Sequence, residues 1–402
     1  MPLYTQGRSD NKAGKRMINV DLLWYLMVPL VLSTGTFIYL RRYVHGLTWL
    51  QATGAAVIGF LLSSAIMAGT FYAGKGMKTG DTEIINGEVF SKKREHGHYV
   101  ETYECNCHTV CTGSGNSRSC HEVCSTCYRD HFTVTWSCQT NIGEFVIEHL
   151  DRLTRRVYDE PDPPRYVLIK KGDPVSRTHS YTNYIKAVPE TLFRPASAEL
   201  RERFKDQIPT YPLRIYDIYR IDRVLPVGVH VPDLKYWNAR LSDVLKRLGP
   251  KKQANAVIVI TKSADPDYFL ALRDAWLGGK KNDIVLVIGA PNFPAKAAWI
   301  RVMALTQDEL FQVRLRDRVL ALPKLTADAV IGALEKETYA TFKRKRMRDF
   351  AYLDVEIDPP TWLMVTMILL QIAAYIVFWI YMYRHHSTSA YGRFGVPRFR
   401  FR

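Results

Sequence analysis

All seven cysteines of the chain fall in one stretch: Cys105, Cys107, Cys111, Cys120, Cys124, Cys127 and Cys138. Cysteines used only as small hydrophobes scatter through a core, so clustering this tight points to chemistry. Two chemistries compete. The first is disulfides, three bridges and one odd thiol, with a pairing that spacing alone leaves open. The surrounding segment holds too little apolar sequence to build its own core, and each bridge would contribute roughly 2–4 kcal/mol by restricting the unfolded chain. The second is zinc. Cys124 and Cys127 have the two-residue spacing of a zinc knuckle, Cys107 and Cys111 complete a set of four thiolates, and His108 and His121 are further donors. The expectation is a disulfide framework and no cofactor, with zinc as the alternative.

Other reactive constellations are missing. The sequence has no Gly-x-Ser-x-Gly elbow, no phosphate-binding P-loop and no His-Glu-x-x-His pair. Gly278-Gly279-Lys280-Lys281 ends an expected helix and precedes an expected strand, the reverse of the order a P-loop needs. Asp265, Asp267, Asp274 and Asp283 are the acids that would approach a metal, but helix caps and solvated faces account for such residues more simply. A non-enzymatic protein is expected.

The elements that must position the cysteines begin and end on apolar runs. Residues 22–40 and 47–73 contain no charged side chain, and neither do residues 362–383. Roughly 20 apolar residues cross a bilayer, and a lone segment does so only as a helix. The first run is too long and too late for a secretory signal and is followed by Arg41-Arg42. Ala55/Gly59, Ser64/Ala68 and Ala65/Gly69 sit four apart on the second helix. Such spacing lets helices approach closely, either within the hairpin or between subunits of a homo-oligomer.

The expected organisation is a polar tail (1–20), a transmembrane hairpin (21–74), a Cys-rich β module (75–156), a linker with extended segments (157–229), an α/β domain (230–350), a third transmembrane helix (361–383) and a basic Arg/aromatic tail (384–402). Weak alternation over residues 83–89, 99–107, 131–138 and 145–150 reads as short strands, and Gly113 to Ser117 as a loop tip. In the α/β region, Asp233 would cap a helix stopped by Gly249-Pro250. Residues 256–261, 283–289 and 299–305 read as buried strands, Asp265-Pro266 opens a second helix, and residues 326–348 form a long one. The fold class is therefore an α+β membrane protein.

The formal charge is +16. It suits anionic lipid headgroups, and no nucleic-acid module is visible, so the bilayer rather than nucleic acid is the expected partner. Charge counts near the helices conflict. Arg41, Arg42 and the tail arginines Arg384, Arg393, Arg398, Arg400 and Arg402 favour the soluble region outside. Arg8, Lys12, Lys15 and Arg16, with Lys343 to Arg346 and Arg348, favour it inside. The expectation is a multi-pass protein of the bacterial inner membrane with a periplasmic soluble region.

Three resemblances add to this. Cys111-Thr112-Gly113-Ser114-Gly115 resembles the turn of the zinc-binding region of DnaJ-type chaperones, with one residue too many between Cys107 and Cys111. That implies a cytoplasm-facing zinc module. Ala256 to Ile260, Leu272 to Gly278 (ending Trp276-Leu277-Gly278), Asn282 to Ile288 and residues 299–305 resemble a TPM domain. That family implies an extracytoplasmic α/β domain, and for some members metal binding or phosphatase activity, although its acidic cluster is not recognisable here. Tyr103 to Cys107, Cys111 to Gly115, Arg118 to Cys120 and His179 to Tyr184 resemble membrane proteins encoded by tailed bacteriophages. The last resemblance implies an accessory protein made in an infected bacterium and brings no mechanism; the small-residue helix faces and the missing catalytic constellations are what make a self-assembling structural scaffold the expectation.

Overall fold

The structure is a computed structural model describing residues 20–44, 47–112, 119–147, 161–188, 197–213 and 222–391. The N-terminal tail, the Gly113 to Ser117 loop and the arginines beyond Arg384 lie outside the described residues. In chain order the elements are α1 (Val20–Tyr43), α2 (Trp49–Thr79), β1 (Gly80–Thr112), β2 (Ser119–Thr140), β3 (Gly143–Ile147), α3 (Pro164–Leu168), β4 (Pro174–Thr182), α4 (Tyr184–Ala187), α5 (Ala198–Phe204), a 3-10 turn (Lys205–Gln207), β5 (Val224–Val227), α6 (Leu234–Lys252), β6 (Asn255–Thr261), α7 (Tyr268–Ala275), β7 (Asp283–Gly289), β8 (Trp299–Ala304), α8 (Leu310–Leu320), α9 (Ala327–Thr341), a 3-10 segment (Met347–Glu356) and α10 (Thr361–Tyr391).

The chain divides into two units. The first holds α1, α2 and α10, all three long and apolar enough to cross a membrane. Their contacts combine apolar packing with a few polar pairs. Ser63 Oγ donates to Gln371 Oε1 (2.9 Å), Gln371 Nε2 donates back to the Ser63 carbonyl (3.1 Å), and Trp379 Nε1 donates to Thr36 Oγ1 (2.9 Å). Such bonds are the common interhelical glue where water is absent. At the end of α2, Lys75 donates to the Asp354 carbonyl (2.6 Å) and carboxylate (3.2 Å). The small residues divide. A Cβ on Gly59 would come within 3.0 Å of the Tyr375 hydroxyl, and Ala55 and Ala68 pack in the bundle. Ser64 is half-buried, whereas Ala65 and Gly69 face outward, and a Cβ at Gly69 would meet nothing.

The second unit contains two four-stranded sheets, ordered β3-β2-β1-β4 and β5-β6-β7-β8. In the second, β5, β6 and β7 are parallel and β8 antiparallel. The runs Asn255–Thr261 and Asp283–Gly289 are buried at every position, as continuous β-branched strands covered on both faces must be. α6, α8 and α9 cover one face through Leu241, Leu245, Phe311 and Leu334. α7 covers the other through Tyr268 and Leu272. Steps from β5 to β6 and from β6 to β7 go in one direction across the sheet, yet α6 and α7 lie on opposite faces. The two crossovers therefore have opposite hands, and one breaks the usual right-handed rule.

Several boundaries differ from those expected. The expected strands at residues 83–89 and 99–107 merge into the 33-residue β1 and that at 131–138 is part of the 22-residue β2, while that at 145–150 is met by β3, its last three residues lying outside the described ones. The segment read as a linker supplies β4 to the same sheet and α5 to the other domain. Asp233 stands at the start of α6 in the left-handed region (φ 53°) and makes no side-chain cap, and α6 runs through Gly249-Pro250 to end at Lys252, with Gln253 as its C-cap. Pro250 removes only one amide near the helix end, where tertiary packing outweighs the loss. Gly249 is needed for contact, because a Cβ there would collide with the Asn86 carbonyl. Pro226, within the segment read as a linker, lies in β5, an edge strand that tolerates a missing donor. The long helix of residues 326–348 stops at Thr341, capped at its start by Thr326. α8 was not expected.

A buried polar seam joins the two sheets. Arg223 donates from Nε to Asn255 Oδ1 (2.9 Å) and from Nη2 to Asn86 Oδ1 (2.5 Å) and Ser176 Oγ (2.9 Å). Asn255 Nδ2 donates to Asp283 Oδ1 (2.9 Å), and Tyr211 OH to Asp283 Oδ2 (2.6 Å). Burial pushes Arg223 down to about 10, so it stays charged at neutral pH, and burial raises Asp283.

Candidate interaction site: the stapled ribbon

β1 and β2 form an antiparallel ribbon whose ladder runs from Val89 opposite Thr140 to Thr112 opposite Ser119. Beyond the sheet it continues as two strands only. From Phe90 to Thr112, and from Cys120 to Thr133, no side chain is buried on either face. The 22 residues from Ser91 to Thr112 span about 70 Å at about 3.3 Å per residue. A two-stranded hairpin of this kind is marginal in water by itself.

The cysteines supply what the missing core does not. The bridges are Cys105–Cys127, Cys107–Cys124 and Cys111–Cys120. Cys111 and Cys120 are directly opposed in the ladder, and a register shift between Cys105 and His108 brings Cys107 against Cys124. Asn106, at φ 50°, sits in that bulge. Side chains alternate faces along β2, so Cys120 and Cys124 share one face and Cys127 takes the other. The ribbon is clamped on both sides.

All four zinc candidates, Cys107, Cys111, Cys124 and Cys127, are consumed by these bridges. Among the described residues the one group spaced for a metal is Cys107, Glu122 and Cys124, and its two sulfurs are bonded to each other. The acids considered for a metal are dispersed. Asp283 is in the buried seam, Asp274 pairs with Arg201 (3.4 Å) and Asp265 with Arg203 (2.7 Å).

Cys138 is the odd thiol, buried at the ribbon's base with Val89, Trp136, Ile147 and Val175. Trp136 Nε1 donates to Asp162 Oδ1 (2.7 Å), fixing the base to the segment before α3. Gly143, at φ 114°, closes the tight turn into β3, where a side chain would be strained and would press on Arg177. Burial pushes the Cys138 thiol up, keeping it protonated and inert. Maleimide labelling of the native protein is expected to find no thiol, denaturation to expose one, and denaturation with reductant all seven, read by intact mass. A native thiol labelled without reductant would contradict the bridge set.

The faces of the ribbon bear aromatic and charged pairs. On one, Tyr99 stacks on His131 at 4.9 Å, His131 Nε2 lies 2.7 Å from Glu101, and Arg129 sits over Tyr103 at 4.8 Å. On the other, His98 lies 4.9 Å from Phe132 and its Nε2 2.9 Å from Asp130. Cross-strand pairs like these stiffen a ribbon by roughly 0.2–1 kcal/mol each. They leave large apolar surface in water: Phe132 is 81% exposed and Tyr128 71%. These His–carboxylate pairs stand on an open surface, with His98 and Asp130 about half exposed and His131 and Glu101 partly so.

The sequence does contain a signal for the pairing. Cys111/Cys120 and Cys107/Cys124 are symmetric about one point, between residues 115 and 116, whereas Cys105/Cys127 is a diagonal pair, Cys105 standing opposite Ser125 and Cys127 opposite Tyr103 in the ladder. Nested symmetry of that kind marks a hairpin ladder. No protein family, curated protein or solved structure matches the chain.

Proposed function

We propose that the protein is a non-enzymatic, multi-pass membrane scaffold that presents the stapled ribbon as a docking arm for a protein partner. The observation that carries this reading is the ribbon itself: aromatics exposed on both faces of a two-stranded arm made rigid by three cross-links. Rigid aromatic side chains lose little entropy on binding and are enriched at interfaces.

Exposed aromatics at both ends of the helical unit support membrane crossing. Trp24, Tyr72 and Trp362 are at the end where α2 stops, and Tyr43, Trp49 and Tyr381 at the other. Trp24 and Tyr43 are 19 residues apart, as are Trp362 and Tyr381. At about 1.5 Å per residue that is about 29 Å, against a hydrocarbon core of about 30 Å. Bridges persist in oxidising compartments, which favours a periplasmic soluble region. The opposite end has Arg41, Arg42 and Arg384, the basic flank that favours a cytoplasmic face. Outward-facing Ala65 and Gly69 support self-assembly in the inner membrane. The order α6-β6-α7-β7-β8 supports a TPM-like domain, and a phage origin rests on the sequence resemblance alone.

A photo-crosslinking amino acid placed at Tyr128 or Phe132 of the full chain in cells is expected to give discrete protein adducts. Changing Tyr99 and Tyr103 to Ser is expected to weaken the adducts. Absence of adducts from both positions would remove the docking reading.

A further inference from the structure

The opposite-handed crossovers have a consequence at the carboxyl edge of the second sheet. β5 and β6 are parallel neighbours. The chain leaves Val227 toward α6 on one face and leaves Thr261 toward α7 on the other. Adjacent strands whose connections diverge leave a crevice outside their carboxyl ends, the usual ligand position in open α/β sheets. Here that position is a cavity of about 360 Å³ lined by Val227, Gly228, Lys262 and Ser263 from the strand ends and by Asp206 and Gln207 from the 3-10 turn.

Its walls are held by bonds of their own. Lys262 N donates to the Val227 carbonyl (3.0 Å), Trp299 Nε1 to the Ser263 carbonyl (3.0 Å), and Tyr268 OH to the Gln207 carbonyl (3.0 Å). Gly228, at φ 65°, brings backbone to the rim, where even a Cβ would stand 3.5 Å from that of Lys262. The neighbouring Arg203 and Asp265 are matched with each other at 2.7 Å. The two that line the cavity are not. Among the described residues neither the Lys262 ammonium nor the Asp206 carboxylate has a hydrogen-bond or ion partner.

One cation, one anion, an amide and an apolar wall in a single crevice are complementary to a small zwitterion. We propose that this crevice is a binding site for a free α-amino acid. The ligand's carboxylate meets Lys262, its ammonium meets Asp206 and the Gln207 amide oxygen, and its side chain lies against Val227. The site is independent of the ribbon.

The test is titration calorimetry of the full-length protein in detergent with each of the common L-amino acids. At least one is expected to bind with one-to-one stoichiometry. Lys262→Met and Asp206→Asn, both at exposed positions that leave the fold intact, are each expected to weaken it by about tenfold or more, the scale of one charge-assisted hydrogen bond. The N-acetylated form of the same amino acid, lacking the ammonium, is expected to lose affinity for the original protein and to be indifferent to Asp206→Asn. No binding by any amino acid up to about 10 mM, or binding untouched by both substitutions, would overturn the proposal.

Discussion

Replacing Arg223 with alanine is expected to cost about 3–5 kcal/mol, the scale for breaking a buried charge network by removing one partner. Arg223 is among the largest fully buried side chains, and three of its contacts are polar. Without it, Asn86 and Asn255 lose their charged donor, and the Asp283 carboxylate keeps Asn255, Tyr211 and a backbone amide but no buried cation. The same deletion opens a cavity between the sheets, so two penalties add. Arg223→Lys retains the charge but not the fork that reaches Asn255, Asn86 and Ser176 together, and is expected to fall between the two. A domain is typically stable by only 5–15 kcal/mol, so the alanine variant should be near unfolding. Urea denaturation followed by tryptophan fluorescence, with hydrogen exchange at β6 and β7, reads the effect. A loss below about 1 kcal/mol would mean that the seam is dispensable.

Reduction of the three bridges is expected to melt the outer ribbon and leave the rest folded. A lone bridge across a loop of ten to fifteen residues contributes about 3 kcal/mol, but nested bridges share one loop and add less each. Little else opposes melting. From Gly97 and Thr133 outward the strands have only their own ladder and a few cross-strand pairs, whereas the base is tied by Trp136, Asp162 and a buried apolar cluster. Hydrogen exchange is therefore expected to rise steeply over residues 99–131 after reduction, with β6, β7 and the base unchanged. Retained protection over residues 99–131 would show that the ladder stands without its bridges, and the account of the arm as covalently supported would be lost.

How far these features were readable in the sequence varies with the range over which each is set. β6 and β7 were legible almost to the residue because a continuous run rich in Val and Ile has few uses other than a buried strand, and β8 was legible from its short apolar run. The ribbon was not. Its alternation is weak because both faces meet solvent, and binary patterning fails where neither face is buried. The crevice residues gave no local signal either. Lys262 and Asp206 are ordinary surface charges in sequence, separated by more than fifty positions.

Three long apolar helices, a cysteine-dense segment between them, and an α/β pattern of helices and buried strands are legible in the chain before it folds. Each follows from composition and period within a window of a few tens of residues. Long-range packing alone settles that the cysteines are bridged to one another rather than arranged around zinc, that β4 completes one sheet, that Arg223 bridges two sheets, and that α6 and α7 take opposite faces. Those outcomes depend on contacts between residues far apart in the chain. Their energies come from burial and from satisfied polar groups, and neither exists until the chain has closed on itself.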